Sequence, residues 1–142
     1  MIPLFKPYMP DLPELDSILA SGQLSYGMYT KKFEEQLQSY FETPYVMAVN
    51  TFSFAVSVAV TALGLAAGDE VIASPMACLV STQPYLSNGL KIKWCDIDSK
   101  KGTLDPIALS KCITKKTKAI IHNHFCVYSG YIFLVNAIGN VY

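Results

Sequence analysis

Residues able to do chemistry gather at four places in this chain of 142 residues. The first is Asn50-Thr51-Phe52-Ser53, a polar break between the apolar stretch Tyr45–Val49 and the long apolar segment Phe54–Ala66. With that segment helical, the break is a helix start. Free backbone N–H groups and the positive end of the helix dipole suit an anionic group such as phosphate there. Ser53 is the expected N-cap. The competing reading is a plain strand-to-helix turn that binds nothing. The second place is Asp96-Ile97-Asp98, with carboxylates at i and i+2. A hard cation takes about six or more oxygen ligands, and no further donor stands nearby, so solvated carboxylates and no metal site are expected. The third and fourth are Ser74 and His122-Asn123-His124, each following an apolar run.

These residues need elements to position them. Tyr45–Val49 reads as a buried strand, Val71–Ser74 as a second and Thr117–His122 as another. Leu90–Cys95 alternates apolar residues with Lys91 and Lys93, as a strand near a sheet edge does. Helices are expected at Leu12–Ala20 after the cap Asp11, at Lys31–Phe41 after Thr30, and at Cys78–Leu86 with a bend near Pro84. Two more are expected from Pro106 to Cys112 after Asp105, and over Ile132–Tyr142. On the second of these five, Phe33, Leu37, Tyr40 and Phe41 form the apolar side; Lys31, Lys32, Glu34 and Glu35 form the wet one. Residues 1–11, with Pro3, Pro7 and Pro10, read as an extended arm. The sum is an α/β chain of alternating β-α units forming a mainly parallel, doubly wound sheet. Ligands of such sheets bind at the carboxyl ends of the strands, where the four polar places fall.

The hydrophobic content of 51% is ample for the core of one domain over 1–142. A net charge of zero gives no general attraction to nucleic acid or anionic lipid. All eleven cations are Lys, so the bidentate Arg clamp for phosphate is absent. Cys78, Cys95, Cys112 and Cys126 show no Cys-x-x-Cys spacing, and buried, reduced thiols are the default. No signal-peptide core is visible at the N-terminus, which makes the cytoplasm the expected compartment. Three runs without charge, 43–68, 71–90 and 119–142, raise the alternative of a small membrane protein. Against it, the first is bounded by Glu42 and Asp69 and the second holds Pro75 and Pro84. No Gly-x-Gly-x-x-Gly marks a dinucleotide site.

Beyond these patterns, a series of short segments resembles one family in order along nearly the whole chain. They are Ile2-Pro-Leu-Phe-Lys-Pro; Ser21-Gly22 with Tyr26-Gly27; Lys32-Phe33-Glu34; Val49-Asn50-Thr51-x-Ser53; and Ala62-Leu63-Gly64 with Gly68-Asp69-Glu70-Val71-Ile72. Then come Ser74-Pro75 with Ser81-Thr82; Asp96-Ile97-Asp98 with Thr103-Leu104-Asp105-Pro106; and Thr114-x-Lys116-Thr117-Lys118-Ala119-Ile120-Ile121 leading to His124. The chain thus resembles the N-terminal portion of the DegT/DnrJ/StrS sugar aminotransferases, fold-type I enzymes that use pyridoxal 5′-phosphate.

The resemblance implies an aminotransferase-like sheet and an incomplete large domain. It implies that Phe52, through its N–H, and Ser53, through N–H and hydroxyl, meet the cofactor phosphate. Leu79 falls where an aromatic usually stacks on the cofactor ring, and His124 falls near the pocket. Nucleotide-linked keto-sugars as substrates, glutamate as amino donor and a homodimer are likewise implied. The acidic partner of the ring nitrogen and the Schiff-base lysine of the family fall beyond Tyr142. No catalytic residue is therefore expected in this truncated chain, nor activity when it is alone. The alternative is a relic, or a binding or dimer-forming module. Departures from the family pattern are Phe54 in the cradle, Val127 in place of Gly, and Tyr131, Phe133 and Leu134 where charged residues are expected. An apolar face there favours pairing or aggregation.

Overall fold

A computed structural model describes residues 6–141, and the chain divides into two compact units, 1–48 and 49–142. The Ile2-Pro-Leu-Phe portion of the Pro-rich arm and Tyr142 lie outside the described residues. Residues 6–11 of the arm belong to no helix or strand.

The first unit holds helix α1, Leu15–Ala20, and helix α2, Met28–Tyr40. Both begin elsewhere than the cap residues imply. The N-cap of α1 is Glu14, with no side-chain cap bond, and that of α2 is Gly27. Asp11 and Thr30 are therefore not caps: the α2 backbone continues a turn further toward the N-terminus, because the extended Gly27 is where the chain enters the helix. Of the apolar side of α2, Phe33, Tyr40 and Phe41 are exposed, while Glu34 is buried.

The second unit carries an open, wholly parallel three-stranded sheet. Strand β1 is Glu70–Ala73, β2 is Lys91–Trp94 and β3 is Thr117–Ile121, in the order β2-β1-β3. Val71, Ile72 and Ala73 are buried to 1% exposure or less, so β1 needs an apolar residue at every position rather than at alternate ones. β2 is an edge strand, as its lysine alternation predicts.

Helices cover both faces. On one, Val56 and Val60, four residues apart on helix α3 (Phe52–Ala62), pack with Val71 and Leu90. Tyr85 of helix α4, Gln83–Ser87, joins them. On the other, Leu109 of helix α5 (Pro106–Cys112) and Val135 of helix α6 (Ile132–Gly139) pack with Ile72, Cys95 and Leu104. Each fully buried aliphatic side chain contributes roughly 1.5–3 kcal/mol. Asp105 caps α5 as expected, its carboxylate accepting the Ile107 N–H at 3.0 Å.

Three expectations change. Residues 45–49 form no strand among the described residues. A strand forms only where a neighbour takes up its backbone N–H and C=O groups, and an apolar composition does not by itself supply one. The expected helix Cys78–Leu86 is a 3₁₀ turn, Leu79–Ser81, followed by α4, with Pro84 in the first turn of α4, where its missing N–H costs nothing. Cys78 and Cys126 are exposed rather than buried. No helix among the described residues is long and apolar enough to cross a membrane; the uncharged runs become short helices and strands.

Candidate functional site

Helix α3 starts two residues earlier than its apolar periodicity indicates, and Thr51, not Ser53, is its N-cap. Thr51 is extended, and its Oγ1 accepts the Phe54 N–H at 3.1 Å. Its carbonyl accepts the Ala55 N–H at 3.0 Å. A threonine hydroxyl at this position satisfies one of the orphan donors that every helix start exposes. The amides of Phe52 and Ser53 are the two left without an acceptor among the described residues. Both residues are exposed.

Beside this start lies a cavity of about 410 Å³, bounded by Asn50, Thr51, Ser53, Ser57, Gln83 and Ser87 among others. Four hydroxyls and two side-chain amides thus face it, and no carboxylate and no lysine. The far wall is tied in place by Asn88, whose Nδ2 donates to Ser57 Oγ at 2.9 Å and to the Pro84 carbonyl at 2.7 Å. The Asn88-Gly89 turn is visible in the sequence; the bond from Asn88 across to α3 is not.

Leu79 opens the 3₁₀ turn after β1, and that turn packs against α3. Leu79 itself is 69% exposed. His124 follows the carboxyl end of β3 and is exposed. Its ring meets that of His122 edge-on, with centroids 4.8 Å apart. Phe52 and Ser53 therefore sit together, and Leu79 lies on a turn against their helix. His124 stands at another strand end and is not among the residues that line the cavity. Both ring nitrogens of His122 are shut from solvent and have no hydrogen-bond partner among the described residues. Burial, with His124 adjacent, pushes the His122 imidazole down from its usual value.

Asp98 is an organiser of its own loop. One carboxylate oxygen accepts the N–H groups of Lys100 and Lys101, each at 2.8 Å, and the other accepts the Tyr131 hydroxyl at 3.2 Å. The Lys101 and Lys100 amides hold the Asp98 carboxyl below the usual carboxylate range. Among the described residues no three His, Cys, Asp or Glu side chains converge on one point. Burial, with Cys112 alongside, pushes the Cys95 thiol up to about 12, so it is an inert core group.

Fold and site define a class: an open parallel α/β sheet with helices on both faces and a free helix start beside a hydroxyl-lined cavity. Within that class, the chain belongs to the DegT/DnrJ/EryC1/StrS aminotransferase family, whose model matches residues 10–140. The spore coat polysaccharide biosynthesis protein SpsC of Bacillus subtilis is 31% identical over 115 residues, covering 81% of this chain and 30% of SpsC. A solved aminotransferase from Psychrobacter cryohalolentis superposes with a TM-score of 0.86 at 25% identity, over 96% of this chain and 36% of its own. The E. coli GDP-4-keto-6-deoxy-D-mannose-3-dehydratase with bound hydrated PLP gives a TM-score of 0.86 at 27% identity, over 97% of this chain and 38% of its own. The chain thus spans about a third of the length of the relatives it matches.

Proposed function

We propose that this chain is the cradle-bearing N-terminal portion of a pyridoxal-phosphate-dependent nucleotide-sugar aminotransferase. The observation that carries the reading is the start of α3: two adjacent free amides, a serine hydroxyl and a cavity without carboxylates. Those residues fit a phosphate dianion, since dipole and donors act in the same direction. The Phe52 and Ser53 amides and the Ser53 hydroxyl hold the phosphate. Leu79 supplies an aliphatic wall in place of a stacked ring, and His124 stands at the pocket margin. The cofactor, when bound, supplies the electron sink that amino transfer requires. A nucleotide-linked keto-sugar is the acceptor and glutamate the donor, in a cytoplasmic homodimer whose large domain takes in both units of this chain.

No lysine lines the cavity beside Ser53. The chain by itself therefore holds the cofactor without converting substrate.

Titration of the purified chain with pyridoxal phosphate, followed by absorbance before and after borohydride, tests this. Saturable binding without a covalent adduct is expected. Ser53→Ala removes one charge-assisted hydrogen bond and weakens binding about tenfold. Absence of saturable binding, or a reduced adduct on one defined lysine, would refute the reading.

A further inference from the structure

We propose that the end of the sheet at which its three parallel strands begin binds a small free anion of the diphosphate type, held by Lys91, Lys115, Lys116 and Lys118. The proposal goes beyond the cofactor reading and does not rest on it, since this site and the start of α3 share no lining residue.

A cavity of about 370 Å³ opens at this end. Glu70 begins β1, Lys91 begins β2 and Thr117 begins β3. Glu70 and Lys91 line the cavity with Asp69 and with Lys115, Lys116 and Lys118. Four of the eleven lysines thus meet around one hollow, against two carboxylates. In a chain of zero net charge that is a local surplus of positive charge. On an ordinary wet face the two signs are interspersed instead.

Both acids have work inside the fold. Asp69 Oδ2 accepts the Ala66 N–H at 2.8 Å. Glu70 Oε1 accepts the Thr117 hydroxyl at 3.0 Å and the Thr114 hydroxyl at 3.2 Å. That carboxylate therefore ties down a turn. The Thr117 N–H donates to the Thr114 carbonyl at 3.0 Å, and the Thr114 N–H to Thr117 Oγ1 at 3.0 Å. Lys115 and Lys116 are the two central residues of this turn. Their backbone is ordered before any ligand arrives, which lowers the entropic cost of binding.

Lys118 is set by the strand. β3 pairs Thr117 with Glu70 and Ala119 with Val71, so the register slips by one residue and Lys118 has no partner on β1. Such a slip frees one residue from the ladder and re-aims its side chain; in parallel pairs it is rare.

The donors select the ligand. An ammonium group is a compact charge with rotatable donors, and it meets phosphate oxygens from any direction. Four of them exceed what one carboxylate can use and match two linked phosphates. A concave site lined by one sign of charge concentrates the field on such an anion. All four side chains are exposed, so it reaches them without disturbing the core.

Calorimetric titration of the 142-residue chain with sodium diphosphate, at fixed ionic strength and without divalent metal, tests this. Saturable binding and a raised melting temperature are expected. Lys115→Gln with Lys118→Gln should weaken binding about tenfold or more. Lys100→Gln with Lys101→Gln removes the same charge elsewhere and should change it less than about twofold. Ser53→Ala should leave it unchanged. Without diphosphate, the 115/118 variant should melt at the same temperature or higher, because repelling charges are gone. No saturable binding by the folded chain would overturn the proposal, as would equal weakening in both double variants, which marks diffuse attraction. Loss of binding in Ser53→Ala would place the anion at the start of α3 and overturn it too. So would a lower melting temperature of the 115/118 variant without diphosphate, or capture of the chain by phosphatidylserine vesicles that diphosphate does not compete away, which would make a lipid surface the occupant.

Discussion

Glu34 sits among charged neighbours on the side of α2 that the sequence marks as wet, yet it is 8% exposed. Its Oε1 accepts the Ala48 N–H and its Oε2 the Tyr26 hydroxyl, both at 2.8 Å. The Ala48 amide first, then the Tyr26 hydroxyl, hold the Glu34 carboxyl below its usual value, and the same contact pushes the Tyr26 phenol up. A carboxyl depressed in the fold stabilises it above the unfolded value of roughly 4.3 and loses that contribution as pH falls through the folded value. Urea midpoints from neutral pH down to about pH 3 should therefore show an acid limb that Glu34→Gln flattens. An identical limb in the variant would show that the carboxylate is not ionised in this role. Val127 is a second residue whose environment matters more than its type. Its φ is +66°, a left-handed conformation that a β-branched side chain adopts at a cost of roughly 1–2 kcal/mol. Val127→Gly should raise stability by about 0.5–1 kcal/mol after glycine's own entropic cost, read from the denaturant midpoint. An unchanged or lower midpoint would show that the loop relaxes the strain.

Between elements, the loop entering α6 is set by a close approach. A Cβ on Gly130 would lie 2.0 Å from Thr103 Oγ1, and Thr103 is 1% exposed. Gly130→Ala therefore forces the loop off the core and should cost roughly 1–3 kcal/mol in chemical denaturation. A cost below a few tenths would mean that the loop moves freely. Tyr131, one residue on, is not a loose apolar residue, since its hydroxyl donates to Asp98; Phe133, at 86% exposure, is. The start of α3 makes a separate point about helices. Thr51→Ala removes a cap bond and should lower stability by about 1 kcal/mol, whereas Ser53→Ala, outside the cap, should leave it within about 0.5 kcal/mol. That pair of variants distinguishes the residue that builds the helix start from the one proposed to use it.

For the chain as a whole, the prediction is binding without chemistry: no amino transfer from glutamate to a nucleotide keto-sugar by the purified 142 residues, assayed with pyridoxal phosphate present. Measurable turnover would mean that one of the eleven lysines serves the cradle after all. The alternation of strand and helix, the buried β1, the lysine-marked edge at β2 and the polar helix start were legible in the amino-acid sequence. Each is local: a strand covered on both faces must be apolar throughout, an edge strand must carry charge, and a helix must expose its first amides. Tertiary structure alone decided the rest. Glu34 and Ala48 are 14 residues apart, and no periodicity reveals that one will bury itself to hold the other. Residues 45–49 have the composition of a strand, but pairing depends on a neighbour, not on composition.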